Sequence, residues 1–176
     1  MTLAPAPAVA LVTLAAVLLV MAGEAVLSRV NEQGLRRRGA VEPPGDVYRT
    51  MQWAYPALFV AMAVEGATWG PSPRAVLLAG LVVFGAAKAL KLWAITSLGD
   101  RWSFRVLVLP GVPLVESGPY RWMRHPNYLA VVGELLGVAL TVWAPVAGLA
   151  ALVGFGALML RRIAVEERAL EEGSER

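Results

Sequence analysis

The residues best equipped for chemistry are gathered in one stretch, Glu116-Ser117-Gly118-Pro119-Tyr120-Arg121-Trp122-Met123-Arg124-His125-Pro126-Asn127-Tyr128. It holds the chain's only histidine, with two arginines, two tyrosines and a tryptophan. Guanidinium groups offer bidentate contacts to an anionic head group. A Gly-Pro pair opens the stretch as a turn, and His-Pro closes it against a long apolar run. Proline is well tolerated in a first helical turn, where its missing N–H costs nothing. The pattern predicts a basic, aromatic loop feeding directly into a membrane helix. Polar groups held at that boundary suit a substrate of mixed character. Arg, Trp and Tyr also gather at interfaces as plain anchors, but an anchor requires neither a His-Pro pair nor this density of donors.

Four carboxylates stand apart from the loop. Glu134 lies about six residues into the helix that follows, about 9 Å deep at 1.5 Å per residue. Ionisable groups at that depth are costly and face a cavity or a partner. A general-base role is one reading; a structural bond to Lys88, Arg121 or a neighbouring helix is the other. Glu166-Glu167 follow the last apolar run and belong either to a site or to a solvated face continuing into Glu171-Glu172. Near the N-terminus, Glu24, Arg29 and Asn31 form a polar cluster that reads best as an interfacial ion pair.

The elements that position these groups are those of a membrane protein. The chain has 176 residues, 57% hydrophobic and 16% charged, with a mean hydropathy of +0.59. A soluble domain is nearer half apolar and a quarter charged. Cysteine is absent, which excludes disulfides and thiolate chemistry. With a single histidine, a metal site is not expected either. The apolar runs predict an all-α, polytopic fold of five spans forming one integral-membrane domain. Residues 3 to 27 make the first span, 51 to 69 the second and 75 to 96 the third. Lys88 and Lys91 are expected to snorkel outward from the third. Residues 97 to 127 are the one long polar segment, with an interfacial cap around Val106–Val115. Residues 128 to 160 exceed one crossing, so they predict a hairpin of two short helices turning at Trp143-Ala144-Pro145. Gly133 and Gly137 are spaced for close helix approach, most simply within that hairpin.

Arginines set an orientation. Five lie between Arg29 and Arg49 and four in the 97–127 segment, whereas the 70–74 turn carries only Arg74. Arg161, Arg162, Arg168 and Arg176 crowd the C-terminal end. The positive-inside rule then places the N-terminus outside and the signature loop and acidic pair in the cytoplasm. The triple arginine Arg36-Arg37-Arg38 reads as a topology signal or lipid contact; no nucleic-acid partner is expected.

Gly118-Pro119-Tyr120-Arg121 with Arg124-His125-Pro126-Asn127-Tyr128 and the downstream Glu166-Glu167 resembles the signature of the isoprenylcysteine carboxyl methyltransferase family. The phospholipid N-methyltransferases are similar more distantly. The resemblance runs from about Leu90 to Glu167. It implies S-adenosylmethionine as methyl donor, with Tyr120, Arg124, His125, Pro126, Tyr128, Glu166 and Glu167 around the cofactor. Arg121 and Glu134 are then the catalytic candidates, one holding an anionic acceptor and the other taking a proton. No glycine-rich strand-loop-helix motif is present: Gly154-Phe155-Gly156 lies inside an apolar run. The implied activity is methylation of a lipophilic acceptor at oxygen, on a carboxylate or a polyketide-type phenol or pyrone, in a bacterial inner membrane. Amine methylation of a phospholipid, lipid binding without chemistry and an NADPH-dependent reductase are the alternatives.

Overall fold

Apolar sequence with few helix breakers has one way to satisfy its backbone in hydrocarbon, and in the computed structural model, which describes residues 6–174, that is what forms. Five long helices succeed one another: α1 (Ala6–Arg37), α2 (Tyr48–Trp69), α3 (Arg74–Leu98), α4 (Pro126–Val142) and α5 (Pro145–Ser174). The all-α, polytopic expectation holds. By length and composition α1, α3 and α5 can each cross a membrane. Helix α2 is long enough but carries Gln52, Tyr55 and Glu65, and α4 is apolar but has only 17 residues. The predicted residues 3–5 and Arg176 lie outside the described residues, as do the side chains of Glu171 and Glu172.

Helix α4 is the centre of the bundle. Ala130, Glu134, Leu135, Val138 and Val142 along it are buried. Helix α3 packs against α4 most closely, through glycine. A methyl group on Gly137 would sit 2.6 Å from the backbone N of Phe84, and one on Gly80 would sit 2.6 Å from that of Thr141. Gly133 likewise faces Ala87. The close approach read from the Gly133/Gly137 spacing is therefore real, but its partner is α3 and not the other arm of the hairpin. The hairpin itself turns where expected, with Trp143 in the left-handed region (φ 57°) as the cap of α4. Its second arm is long, because α5 continues for 30 residues. Glu65 of α2 accepts hydrogen bonds from the backbone N–H groups of Val146 (2.9 Å) and Ala147 (2.6 Å), satisfying donors left free at the start of α5.

The two ends of the bundle differ. At one end lie the turns 70–73 and 143–144, where Ser72 Oγ donates to Leu140 O (3.0 Å). At the other lie the 38–47 loop, the 99–125 segment and the C-terminal half of α5. Here Val41 and Val108 exchange both backbone hydrogen bonds (2.9 and 3.0 Å), and Ser28 and Asn31 of α1 hold the 99–104 backbone. Ser28 Oγ accepts from Phe104 N (2.8 Å), and Asn31 Nδ2 donates to Trp102 O (2.8 Å). The apolar residues around Val106–Val115 thus form a strap over this end, as the sequence suggested.

Candidate active site

Between the strap and the upper halves of α1, α2, α4 and α5 lies a cavity of about 810 Å³, within the range of roughly 300–1,000 Å³ usual for small-molecule sites. His125 ends the polar segment, and Pro126 starts α4 at the position where proline fits best. That places His125, Asn127 and Tyr128 in the cavity wall, beside the acidic pair brought in by α5. His125 Nε2 lies 3.2 Å from Glu167 Oε1, and Tyr128 Oη donates to Glu166 Oε2 (2.8 Å). The His125 and Tyr128 rings meet edge to face, 5.5 Å between centroids. Arg124 adds an ion pair to Glu167 at 3.5 Å, with its side chain largely exposed. Tyr120 also lines the cavity; burial, and then the negative charge of Glu166, push its phenol up from the ordinary tyrosine value. Seven of the nine residues singled out by sequence, Tyr120, Arg124, His125, Pro126, Tyr128, Glu166 and Glu167, therefore share one cavity.

The other two lie elsewhere. Arg121 closes a short 3-10 turn, is exposed and is no part of the cavity wall. Glu134 is completely buried behind the wall. Its Oε1 pairs with Lys88 Nζ (3.1 Å) and Lys91 Nζ (3.2 Å), and Tyr55 Oη donates to its Oε2 (2.5 Å). Of the partners considered from sequence, Lys88 is present and Arg121 is not. The lysines do not snorkel outward: both turn into the bundle, because Glu24 and Glu134 balance them there. Glu24 accepts from Lys88 (2.9 Å) and Lys91 (2.7 Å) and has no bond to Arg29, which lines the cavity instead.

Several wall residues were not foreseen. Tyr55 and Lys91 reach the cavity from α2 and α3, and Trp102, Phe104, Arg105 and Arg162 close it from the strap and α5. Arg162 donates to Phe104 O and lies 4.0 Å from Asp46, fastening α5 to the strap and the 38–47 loop. A signal for Lys91 existed: Lys88 and Lys91 are three apart and share a helix face. Nothing local marks Trp102 or Arg162, whose roles depend on long-range contacts.

The donor set suits a zwitterionic, hydroxyl-bearing guest. Glu166 and Glu167 supply acceptors, Arg124 and His125 supply donors, and the rings of Tyr120 and Tyr128 line the same cavity. Two buried polar atoms of the wall, Asn127 Oδ1 and Trp102 Nε1, have no partner within the described residues. Burying such atoms is costly unless something satisfies them.

With this geometry in hand, likeness to known proteins gains meaning. The sequence profile of the isoprenylcysteine carboxyl methyltransferase (ICMT) family matches residues 78–172, more than half of the chain. The match takes in most of α3, the signature loop, α4 and most of α5. The chain belongs to this family of membrane methyltransferases. It is 34% identical over 162 residues to the protein YpbQ of Bacillus subtilis, described as uncharacterized, covering 92% of this chain and 96% of that one. An uncharacterized protein of Haemophilus influenzae is 26% identical over 160 residues, covering 90% and 93%. No solved structure matches.

Proposed function

We propose that the chain transfers a methyl group from S-adenosylmethionine to an oxygen atom of a lipophilic acceptor drawn from the membrane. The observation that carries this is the pairing of His125 with Glu167 and Tyr128 with Glu166 on one wall of a cavity whose deeper wall is apolar: Met21, Met51, Val131, Phe155 and Met159. When bound, the cofactor supplies a methyl group activated by a positive sulfonium. Glu166 and Glu167 have the acceptor oxygens that an amino group and ribose hydroxyls need. Arg124 and His125 have the donors that its carboxylate needs. The orphaned Asn127 Oδ1 and Trp102 Nε1 remain for the base, and the rings of Tyr120 and Tyr128 present negative faces to a cation. Pro126 fixes the entry of α4 and with it the direction of His125 and Tyr128.

Transfer from sulfonium to an oxygen nucleophile neutralises charge, so exclusion of water and alignment do most of the work. The strap and the buried Trp102 supply the exclusion. Arg121, exposed at the rim, is placed to meet anionic lipid rather than the reacting atoms. The arginine distribution supports a site on the cytoplasmic face, with the N-terminus outside, and a bacterial inner membrane is the membrane proposed.

Calorimetry with S-adenosylhomocysteine tests the donor. The purified protein should bind it and not NADPH. His125→Ala and Tyr128→Phe should each weaken binding about tenfold or more, roughly 1.4 kcal/mol, with the fold retained. Unchanged affinity in both variants would remove the assignment.

A further inference from the structure

The methyl-transfer reading leaves one polar assembly unused. At the bilayer end of the cavity, four helices bring together Glu24 of α1, Tyr55 of α2, Lys88 and Lys91 of α3, and Glu134 of α4. Two carboxylates and two ammonium groups give it no net charge, which lets it lie among apolar side chains. From α5 the group facing Tyr55 is the Phe155 ring, stacked at 4.9 Å. Only Tyr55 and Lys91 of this assembly line the cavity. The Tyr55 hydroxyl proton is engaged by Glu134 Oε2 at 2.5 Å, so the lone pairs of its oxygen are what it can offer a guest. A hydroxyl oxygen whose proton is held by a carboxylate is a stronger hydrogen-bond acceptor than a free one. A cross-brace between helices would need the four charges; it would not need a tyrosine that also lines the cavity.

We propose that Tyr55, backed by Glu134, takes the proton from a phenolic or enolic hydroxyl of the acceptor, making this end of the cavity a subsite for hydroxyl-bearing lipids. This rests on the methyl-transfer reading. As the oxygen–methyl bond forms, the methyl–sulfur bond breaks and its electron pair stays on sulfur. The acceptor's proton passes to Tyr55 Oη, and the Tyr55 proton passes to Glu134 Oε2. The positive charge lost at sulfur is thus matched by one gained on the cluster, and the proton leaves for water before the next turnover. Tyr55 is the catalytic residue here. Glu134 acts through it as a positioning residue, and Glu24, Lys88 and Lys91 keep the charges balanced. A carboxylate acceptor arrives already ionised and has no proton to give.

Tyr55→Phe is the decisive variant, since it leaves all four charges paired. The first readout needs no cofactor: a long-chain alkyl nitrophenol bound to the protein, whose phenolate absorbs visible light. Its ionisation midpoint should lie roughly one pH unit lower on the unmodified protein than on Tyr55→Phe, equivalent to about 1.4 kcal/mol. In turnover, Tyr55→Phe should lose about 10²-fold with a long-chain alkylphenol at neutral pH and recover as pH rises, but lose less than about threefold with a long-chain fatty acid. S-adenosylhomocysteine affinity should not change. Glu134→Gln should reproduce the pH profile, and Glu134→Asp should restore part of the rate. Equal losses with both acceptors, an unshifted probe, or no methylation of the alkylphenol by the unmodified protein would each overturn the relay while leaving the donor assignment standing. Absent cofactor binding would overturn the donor assignment, and the relay with it.

Discussion

At Glu42 a single carboxylate ties the strap to the end of α1. Arg36 Nη2 lies 2.5 Å from one oxygen and Arg105 Nη1 2.6 Å from the other. Partial burial alone would raise its pKa, but the two guanidinium partners outweigh it and hold the carboxyl below its ordinary 4.5. A depressed carboxylate stabilises the folded form above its unfolded value, and that contribution disappears as pH falls through the lower, folded value. Hydrogen exchange at the Val41 and Val108 amides should therefore be faster in Glu42→Gln than in the unmodified protein at neutral pH. The gap should close as pH drops well below 4.5; a gap that persists there would mean that the carboxylate does not hold the strap. At this scale the sequence was informative where a motif concentrated the chemistry. His125, Tyr128 and Glu166-Glu167 were legible because loop and acidic pair recur together as a signature. Tyr55 was not, because one polar ring in an apolar span carries no periodic signal, and neither was Trp102, whose place in the wall depends on contacts far along the chain. Arg105 and Arg162 were read as charge to be counted; their bonds to Glu42 and Phe104 join segments about 60 residues apart, which spacing cannot reveal.

Among the elements, the contact of α3 with α4 decides whether the site holds its shape. Gly80, Gly133 and Gly137 bring the two backbones close enough for Lys88 and Lys91 to reach Glu134. Gly137→Ala would put a methyl group 2.6 to 2.8 Å from backbone and Cβ atoms of Phe84, so the helices must separate. The expected cost is about 1–3 kcal/mol, read as a lower unfolding temperature in detergent together with weakened binding of the nitrophenol probe. An unchanged melting temperature would show that the contact is looser than the geometry states. Helix positions and the Trp143-Ala144-Pro145 turn were readable because apolar runs and proline report locally. Which helix a glycine faces was not, since the GxxxG spacing describes one surface and leaves its partner open. The same gap explains the lysines: snorkelling is the default for a lone cation in a span, and the two carboxylates that reverse it come from other helices.

Taken whole, the bundle has a plain end and a worked end. The plain end carries Glu65, Ser72 and the two short turns. The worked end gathers the 38–47 loop, the strap, the signature residues and the acidic pair, and most of the arginines lie there. This arrangement agrees with the charge count, which required the signature and Glu166-Glu167 to share a side. Because the native chain has no cysteine, single cysteines can serve as probes. Ser117→Cys should label from the cytoplasm and Pro71→Cys from outside, both positions being exposed. Labelling of both from one side would mean that α3, which alone separates them, does not cross, and the reverse assignment would turn the site away from the cytosol.

The shortness of α4 carries a consequence for how such an enzyme would be assayed. Seventeen residues extend about 25 Å, whereas the 32 of α1 and 30 of α5 reach about 48 and 45 Å. The signature loop therefore sits in a recess below the tops of its neighbours. On the proposed methyl transfer, a water-borne donor would descend to it and a lipid-borne acceptor would reach it from the bilayer. The two substrates are then counted in different units, one by molarity in the aqueous phase and the other by mole fraction in the lipid. Adding inert lipid at fixed total acceptor would dilute the second and not the first.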